Sequence, residues 1–364
     1  MKLRFATLAG AVALVASGGS HALTFNFTFL SGTSAQAQQA FVDAGARWSS
    51  LFTDTVTLDM TVGQASLGAG VLASAGSTRS LYTYSQFKTA LTTDQTTATD
   101  SVAVSNLPAG SSFNMLINRT SDSPSGPGSA TPYFDNNASA NNTSIRITNA
   151  NAKALGLTPT LAVTGNCAAA CDASITFATA FTWDYDPTNG ITPGAFDFVG
   201  IAKHEIGHAM GFISGVDILD INSPNPITPG PFAADQFAFV NSLDLFRFSA
   251  ASIAAGGLGT IDWTANTTAK YFSLNKGATV GAGFSTGRTF GDGQHASHWR
   301  DSLGIGIMDP TAGQGELLAI SNNDQMAFDV IGWNLAPIPE PQTYALFAMG
   351  LMGLAWRRRA VRRD

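Results

Sequence analysis

The 364-residue sequence predicts a mixed α+β fold, with a regular N-terminal lobe at about 23–211 and an irregular, loop-rich C-terminal lobe at about 212–335. Two observations predict this arrangement. In the first lobe, segments with the helical period alternate with segments that have the strand period, which is typical of a mixed sheet packed with helices. In the second lobe, Pro, Gly and Asn are frequent and long periodic runs are few. A chain of this length, 45% hydrophobic, is ample for a core.

The N-terminal lobe begins with a helix and a strand. Over about 35–52, apolar residues recur every three or four positions, the spacing of an amphipathic helix: Phe41, Ala44, Trp48 and Leu51. Over 55–62, apolar and polar side chains alternate, which predicts a half-buried strand.

One further helix and two strands precede the last helix of this lobe. Residues 85–91 have helical character, whereas 144–148 and 174–183 are rich in Ile, Phe and Thr and predict strands. The segment 121–142 is rich in Ser, Pro, Gly and Asn and predicts a loop. A helix that begins near residue 198 closes the lobe.

The composition excludes several classes of protein. Charged residues make up 12% of the chain against about 25% in a typical domain, so the surface must consist largely of small polar residues. A net charge of -6 gives no basic surface for nucleic acid. Two cysteines cannot build a disulfide-dense scaffold or a cysteine-rich zinc module. The chain has only five histidines, so a cluster of them carries information.

Residues 1–22 have the organisation of a signal peptide. Lys2 and Arg4 give a basic start, an apolar run follows, and Ser20-His21-Ala22 fits a small-x-Ala cleavage site. We therefore expect cleavage by signal peptidase, a mature chain that begins near Leu23, and export.

Residues 336–364 form a second processing segment. Pro339-Glu340-Pro341 precedes an apolar run of thirteen residues, and five arginines follow it. Thirteen helical residues reach about 20 Å, short of a bilayer core of about 30 Å, so the predicted transmembrane helix is a poor permanent anchor. The basic cluster would stay in the cytoplasm and leave the body outside.

This tail resembles the PEP-CTERM sorting signal of Gram-negative bacteria. The resemblance implies a transient tether to the inner membrane, removal of the tail by an exosortase-type enzyme, and release to the envelope or the extracellular matrix. Loss of both end segments would remove seven basic residues and Asp364, which leaves a mature body with a net charge near -12. Such a charge disfavours anionic partners.

The two cysteines lie close together in the chain. Cys167 and Cys171 bracket three alanines, and in an exported protein this spacing favours a local disulfide. A metal-binding pair is the weaker interpretation, because no other cysteine completes a thiolate site.

The strongest chemical motif is His204-Glu205-Ile206-Gly207-His208. On a helix, His204 and His208 lie on one face, one turn apart, which suits two ligands of a tetrahedral Zn²⁺. Glu205 lies one step round the helix and would act as general base on the attacking water. An apolar stripe on the opposite side predicts packing on the sheet: Val199, Ala202, Ile206 and Ala209. Asp197 is placed to cap the helix.

A catalytic zinc site needs a third protein ligand and an open fourth position. Ser214, which has the metzincin spacing after the helix, is a poor ligand, and Asp217 lies nearby but three residues further on. The other candidates are His295 and His298, which lie ten or more residues before Met308 in the segment Gly306-Ile307-Met308-Asp309-Pro310.

The order His-Glu-x-x-His-x-x-Gly-Phe, a long insertion, His-Trp and then a Met-turn resembles leishmanolysin-type metzincins. The chain also resembles exported, PEP-CTERM-tagged zinc metalloproteases. The resemblance implies a zincin fold, His298 as third ligand, Met308 as the Met-turn residue and a closing helix over 324–333. His295 would then support a ligand or face the substrate.

The sequence departs from that pattern in two respects. No cysteine occupies a prodomain-like position, and no tyrosine follows Met308 before the sorting tail. Some acidic groups offer oxygen ligands of the kind that Ca²⁺ takes, although solvated loop carboxylates are the simpler interpretation: Asp217, Asp220 and Asn222, or Asp184 and Asp186.

The sequence thus predicts a secreted zinc endopeptidase that acts on protein or peptide substrates. The alternative is a non-catalytic exopolysaccharide-matrix or surface protein with a structural or inert zinc site. A third possibility retains hydrolysis but assigns a non-protein amide substrate.

Overall fold

The computed structural model describes residues 23–222 and 232–337. The predicted signal peptide and nearly all of the predicted sorting tail lie outside the described residues. The strands are β1 (Thr24–Phe29), β2 (Thr57–Ala65), β3 (Ala73–Ser77), β4 (Arg79–Thr83), β5 (Met115–Ile117), β6 (Tyr133–Asp135), β7 (Ser144–Thr148), β8 (Ala173–Ala178), β9 (Trp183–Asp184), β10 (Phe196–Asp197), β11 (Arg247–Phe248), β12 (Ile261–Asp262), β13 (Lys270–Phe272) and β14 (Gly283–Phe284). The α-helices are α1 (Ala35–Ser49), α2 (Tyr84–Asp94), α3 (Ala98–Ser105), α4 (Ala140–Thr143), α5 (Asn149–Ala154), α6 (Phe198–Met210), α7 (Val216–Asn222), α8 (Ala250–Gly256) and α9 (Asn322–Asp329).

A four-stranded sheet organises the N-terminal lobe, in the order β1-β2-β8-β3. The first three strands are parallel, and β3 is an antiparallel edge strand. The alternation in β2 orients its apolar side chains to the core, since Leu58, Met60 and Val62 are at most 1% exposed. The central strand β8 is buried along its whole length, as expected for a strand covered on both faces.

Helices α1 and α6 pack against each other beside this sheet. The ring of Phe41 on α1 meets Phe177 of β8 and Phe198 of α6 edge-on, with centroids 5.2 Å away in both pairs. The indole of Trp48 donates a hydrogen bond of 3.0 Å to the carbonyl of Lys203 in α6. Helix α1 therefore contacts α6 at two points, Phe198 and Lys203.

The mixed α+β class is confirmed, with corrections to two predicted segments. The predicted strand over 174–183 is two strands, β8 and β9, because the chain turns at 179–182 and the indole of Trp183 donates back to the carbonyl of Ala178. The predicted loop over 121–142 contains β6 and the start of α4. The amide of Asn142 stabilises this local order by donating to the carbonyl of Phe113.

The C-terminal part consists of short elements, and two small sheets stabilise it. One has the order β11-β13-β14, and the other, β12-β5-β6, joins this part to strands from the first half of the chain. Long regular helices are not needed here, because buried polar side chains form hydrogen bonds with the backbone groups that a helix would otherwise pair. Asp244, for example, accepts hydrogen bonds from the backbone of Gly215 and Asn241.

The closing helix α9 seals the core beneath α1. The ring of Phe328 packs edge-on against Trp48 at 4.8 Å, and the indole of Trp333 donates to the carbonyl of Met210 at 2.9 Å. The helix predicted over 324–333 ends at Asp329, and a turn follows it. Within residues 23–222 and 232–337, no helix has the length and apolar character required to span a bilayer.

Candidate metal centre

Helix α6 carries the His-Glu-x-x-His motif and is held at both ends. Asp197 caps it as predicted, since its carboxylate accepts a hydrogen bond of 2.7 Å from the amide of Gly200. Gly211 ends it with a φ of 123°, which a residue with a Cβ rarely adopts. The predicted apolar stripe is buried, while His204 and His208 keep partial exposure on the other side.

Three imidazoles converge on one point. The Nε2 atoms of His204 and His208 are 3.0 Å apart, those of His208 and His298 are 3.1 Å apart, and those of His298 and His204 are 3.3 Å apart. Within the described part of the chain, these three residues are the one group of His, Cys, Asp and Glu side chains that converges closely enough to hold a metal ion.

Each imidazole ring is oriented by a hydrogen bond between its Nδ1 atom and a backbone carbonyl. The Nδ1 atoms of His204 and His208 lie 2.7 Å from the carbonyl oxygens of Ile307 and Phe212, and that of His298 lies 3.1 Å from the carbonyl of His295. A carbonyl accepts only, so each Nδ1 must carry the proton and each Nε2 a lone pair. Three lone pairs that face one another repel unless a cation lies between them.

The surroundings keep these rings neutral. Burial lowers the pKa of His204, His208 and His298, and the neighbouring rings lower the pKa of His208 and His298 further. Neutral imidazole is the form that binds a metal, so the site favours ligation over protonation.

Glu205 lies beside the cluster on α6 and is only 6% exposed. Burial raises the pKa of its carboxyl to about 8. A carboxyl whose pKa lies near neutrality both accepts and returns a proton readily, which is the property of a general acid and base.

Met308 lies directly beneath α6. It is fully buried, and its Sδ would lie 2.6 Å from a Cβ added at Gly207. A Cβ at position 207 would therefore require the Met308 side chain to shift. The same turn supplies the Ile307 carbonyl that holds His204.

Asp324 of α9 organises this turn and was not found by sequence reasoning. Its carboxylate accepts hydrogen bonds of 2.8 Å from both the amide of Ile307 and the indole of Trp299, the neighbour of His298. A single acidic residue in a polar stretch gives no local signal of such long-range contacts.

The structure separates His298 from the other two candidates for third ligand. His295 lies with its ring centroid 6.5 Å from that of His298 and is half-exposed. Its Nδ1 faces Asp217 at 3.4 Å, and the hydrogen bond with that carboxylate raises the pKa of His295. Asp217 does not point to the three-histidine cluster; its carboxylate accepts hydrogen bonds from the backbone of Ala296 and Ser297 instead.

The remaining candidate groups are engaged in local structure. Cys167 and Cys171 form a disulfide. Asp220 accepts hydrogen bonds from the amides of Thr289 and Phe290. Asp184 caps a turn through Thr192 and the amide of Asp186, and the Asn222 amide donates to the carbonyl of Ile218. None of these carboxylates belongs to a converging ligand group in the described part of the chain, so the structure adds no support for Ca²⁺.

Comparison with known proteins identifies the C-terminal segment. Residues 337–359 match the PEP-CTERM protein-sorting motif. The chain carries a PEP-CTERM sorting tail. Such a tail implies export and processing at the membrane by an exosortase-type enzyme. No curated protein and no solved structure matches the chain.

Proposed function

We propose that this PEP-CTERM-tagged protein is an exported zinc endopeptidase with a zincin-type fold. The observation that carries the proposal is the convergence of three Nε2 atoms, two of them from the helix that also bears the buried Glu205. The mixed sheet packed on a helix that bears His204, Glu205 and His208 supports the assignment.

The donor set fits Zn²⁺. Tetrahedral zinc with Zn–N bonds of about 2.0–2.1 Å requires nitrogens about 3.3 Å apart. The observed separations of 3.0–3.3 Å are close to that value. Three protein ligands would leave the fourth position free, which is the arrangement of a catalytic rather than a structural site.

Glu205 would perform the proton transfers. When bound, Zn²⁺ supplies Lewis-acid polarisation of the scissile carbonyl and lowers the pKa of water. Glu205 would remove a proton from the attacking water and deliver it to the leaving amine, for which its raised pKa is suited. The carbonyls of Ile307 and Phe212 would keep His204 and His208 in the required tautomer.

The sheet offers a place for an extended substrate. Strand β3 is an antiparallel edge strand and packs against α6. An extended peptide binds such an edge as an added strand through main-chain hydrogen bonds. This arrangement favours a protein or peptide substrate.

The direct test is metal content and cleavage by the purified exported protein. We expect one Zn²⁺ per chain and casein cleavage that a chelator abolishes and added zinc restores. Absence of stoichiometric zinc would overturn the metal centre. Zinc without cleavage of casein or of a peptide library would instead favour a matrix or surface protein with an inert site, or a non-protein amide substrate.

Replacement of His298 and of His295 by Ala separates the two candidate ligands. We expect His298→Ala to weaken zinc binding by more than the roughly 10- to 100-fold typical of a lost outer partner, because it removes a donor nitrogen. His295→Ala should weaken it less. Competition with a chromophoric chelator measures both, and a larger loss in His295→Ala would contradict the assignment of His298.

A further inference from the structure

We propose that Asp217 is a positioning residue that sets His298 for metal binding by anchoring the turn 295–298. This inference rests on the proposed zinc centre and adds a residue outside its ligand set. Asp217 lies in the first turn of α7 and reaches that turn across about 80 residues of sequence.

Three hydrogen bonds join the Asp217 carboxylate to Ala296 and Ser297, in addition to its contact of 3.4 Å with the Nδ1 of His295. One oxygen accepts from the amide of Ala296 at 2.7 Å, and the other accepts from the amide of Ser297 at 3.2 Å and from the Ser297 hydroxyl. The Ser297 Oγ in turn accepts from the amide of Ser214 at 2.8 Å. The turn is thus tied both to α7 and to the segment that follows α6.

The backbone carbonyl of Ala296 is also held by a hydrogen bond. The guanidinium of Arg247, only 1% exposed, donates to the Ala296 carbonyl at 3.2 Å. The Asp217 carboxylate accepts a hydrogen bond from the backbone amide of the same residue. Asp217, whose side chain is 14% exposed, and the buried Arg247 therefore fix the backbone two residues before His298.

His298 depends on this anchor more than the other two histidines do. The Nδ1 of His204 is held by the carbonyl of Ile307, in a distant segment. The Nδ1 of His208 is held by the carbonyl of Phe212, just after the end of α6. The Nδ1 of His298 is held by the carbonyl of His295, which belongs to the anchored turn itself. The orientation of the His298 ring therefore follows the position of the turn. The C-terminal end of the turn 295–298 is held separately, because the amide of Ser285 donates a hydrogen bond of 3.1 Å to the His298 carbonyl.

The test compares Asp217→Asn with Asp220→Asn in the full-length exported protein. Asp220 is a matched control, because it is a buried aspartate on the same helix whose carboxylate accepts backbone amides, but at 289–290 rather than at 295–298. Asn at 217 keeps the shape but directs an NH₂ group at backbone donors. We expect zinc affinity to fall about 10- to 100-fold in Asp217→Asn and to stay at the wild-type value in Asp220→Asn.

Two further readouts separate positioning from a general loss of stability. The visible absorption of the Co²⁺-loaded protein should change in Asp217→Asn, because the geometry of the His298 ligand changes, and should stay as in the wild type in Asp220→Asn. Urea unfolding of the metal-free proteins should show similar losses for both variants. If Asp217→Asn does not fold, Ser297→Ala removes the hydroxyl that contacts both Asp217 and the amide of Ser214, and it should weaken zinc binding in the same direction by a smaller factor.

The outcomes distinguish this inference from the proposed function. A wild-type protein that does not bind zinc would overturn the metal centre itself. A wild-type protein that binds zinc, with equal affinity and an equal Co²⁺ spectrum in Asp217→Asn and Asp220→Asn, would overturn the positioning role alone.

Discussion

Glu205→Gln is expected to lower casein cleavage by about 10²- to 10⁴-fold while one zinc stays bound. The amide keeps the size of the carboxyl but neither accepts nor returns a proton. The fold should tolerate the change, because the amide has nearly the size and shape of the buried carboxyl. Initial rates at saturating casein, together with metal analysis of the same samples, measure both quantities.

Glu316→Gln is the matched control for this variant. Glu316 is exposed, and its carboxylate accepts the amide of Gly313 in a loop. Its replacement should leave both rate and zinc content unchanged. Full activity in Glu205→Gln would remove Glu205 from the mechanism, and loss of zinc in that variant would show that the carboxylate contributes to metal binding.

The local part of the site could be predicted from sequence because helical geometry is local. A spacing of four residues places His204 and His208 on one face, and Asp197 precedes the helix at the position of a cap. Both features are present in α6. The same local logic predicted β7 with its observed bounds.

The rest of the site depends on contacts between distant segments. The run from His295 to His298 does not by itself tell which imidazole turns inward, and only the His-Trp resemblance implies His298. The contacts of Asp217 and Arg247 with Ala296, which hold this turn, come from distant segments. The role of Asp324 is equally non-local, because its partners Trp299 and Ile307 lie 17 or more residues away. The strand over 174–183 was predicted as one element because composition does not reveal where a chain turns.

A second strong effect is expected in the pH dependence of stability, through the carboxyls of Asp54, Asp94 and Asp329. Burial raises the pKa of Asp54 to about 7, that of Asp329 to about 7 and that of Asp94 to about 6. Asn334 joins two of them, since its amide nitrogens donate to Asp54 at 3.0 Å and to Asp94 at 3.1 Å. The ion pairs found among the described residues do not involve this acidic cluster of Asp54, Asp94 and Asp329.

The sign of the pH effect follows from the raised pKa values. A folded pKa above the unfolded value of 3.8 means that the folded state binds the proton more tightly. The contribution of these three carboxyls to stability should therefore increase as the pH falls from 8 through 7 toward 4 and decrease as the pH rises through 7. For Asp54 alone, the gain in unfolding free energy between pH 8 and pH 5 is about 3 kcal/mol.

Asp54→Asn isolates this contribution, because asparagine resembles the protonated acid and still accepts from the amide of Asn334. We expect the advantage of the variant over the wild type in unfolding free energy to grow by about 3 kcal/mol from pH 5 to pH 8, as measured by urea unfolding. Protonation of the histidine cluster and of Glu205 also depends on pH, but it is common to both proteins and cancels in the difference. Asp43→Asn, on the exposed face of α1, controls for the loss of one charge. Its unfolding free energy should depend on pH in the same way as that of the wild type. Parallel curves for Asp54→Asn and the wild type would mean that Asp54 is charged in the folded protein at pH 8 without penalty, and the acidic cluster would then need a cation that balances it.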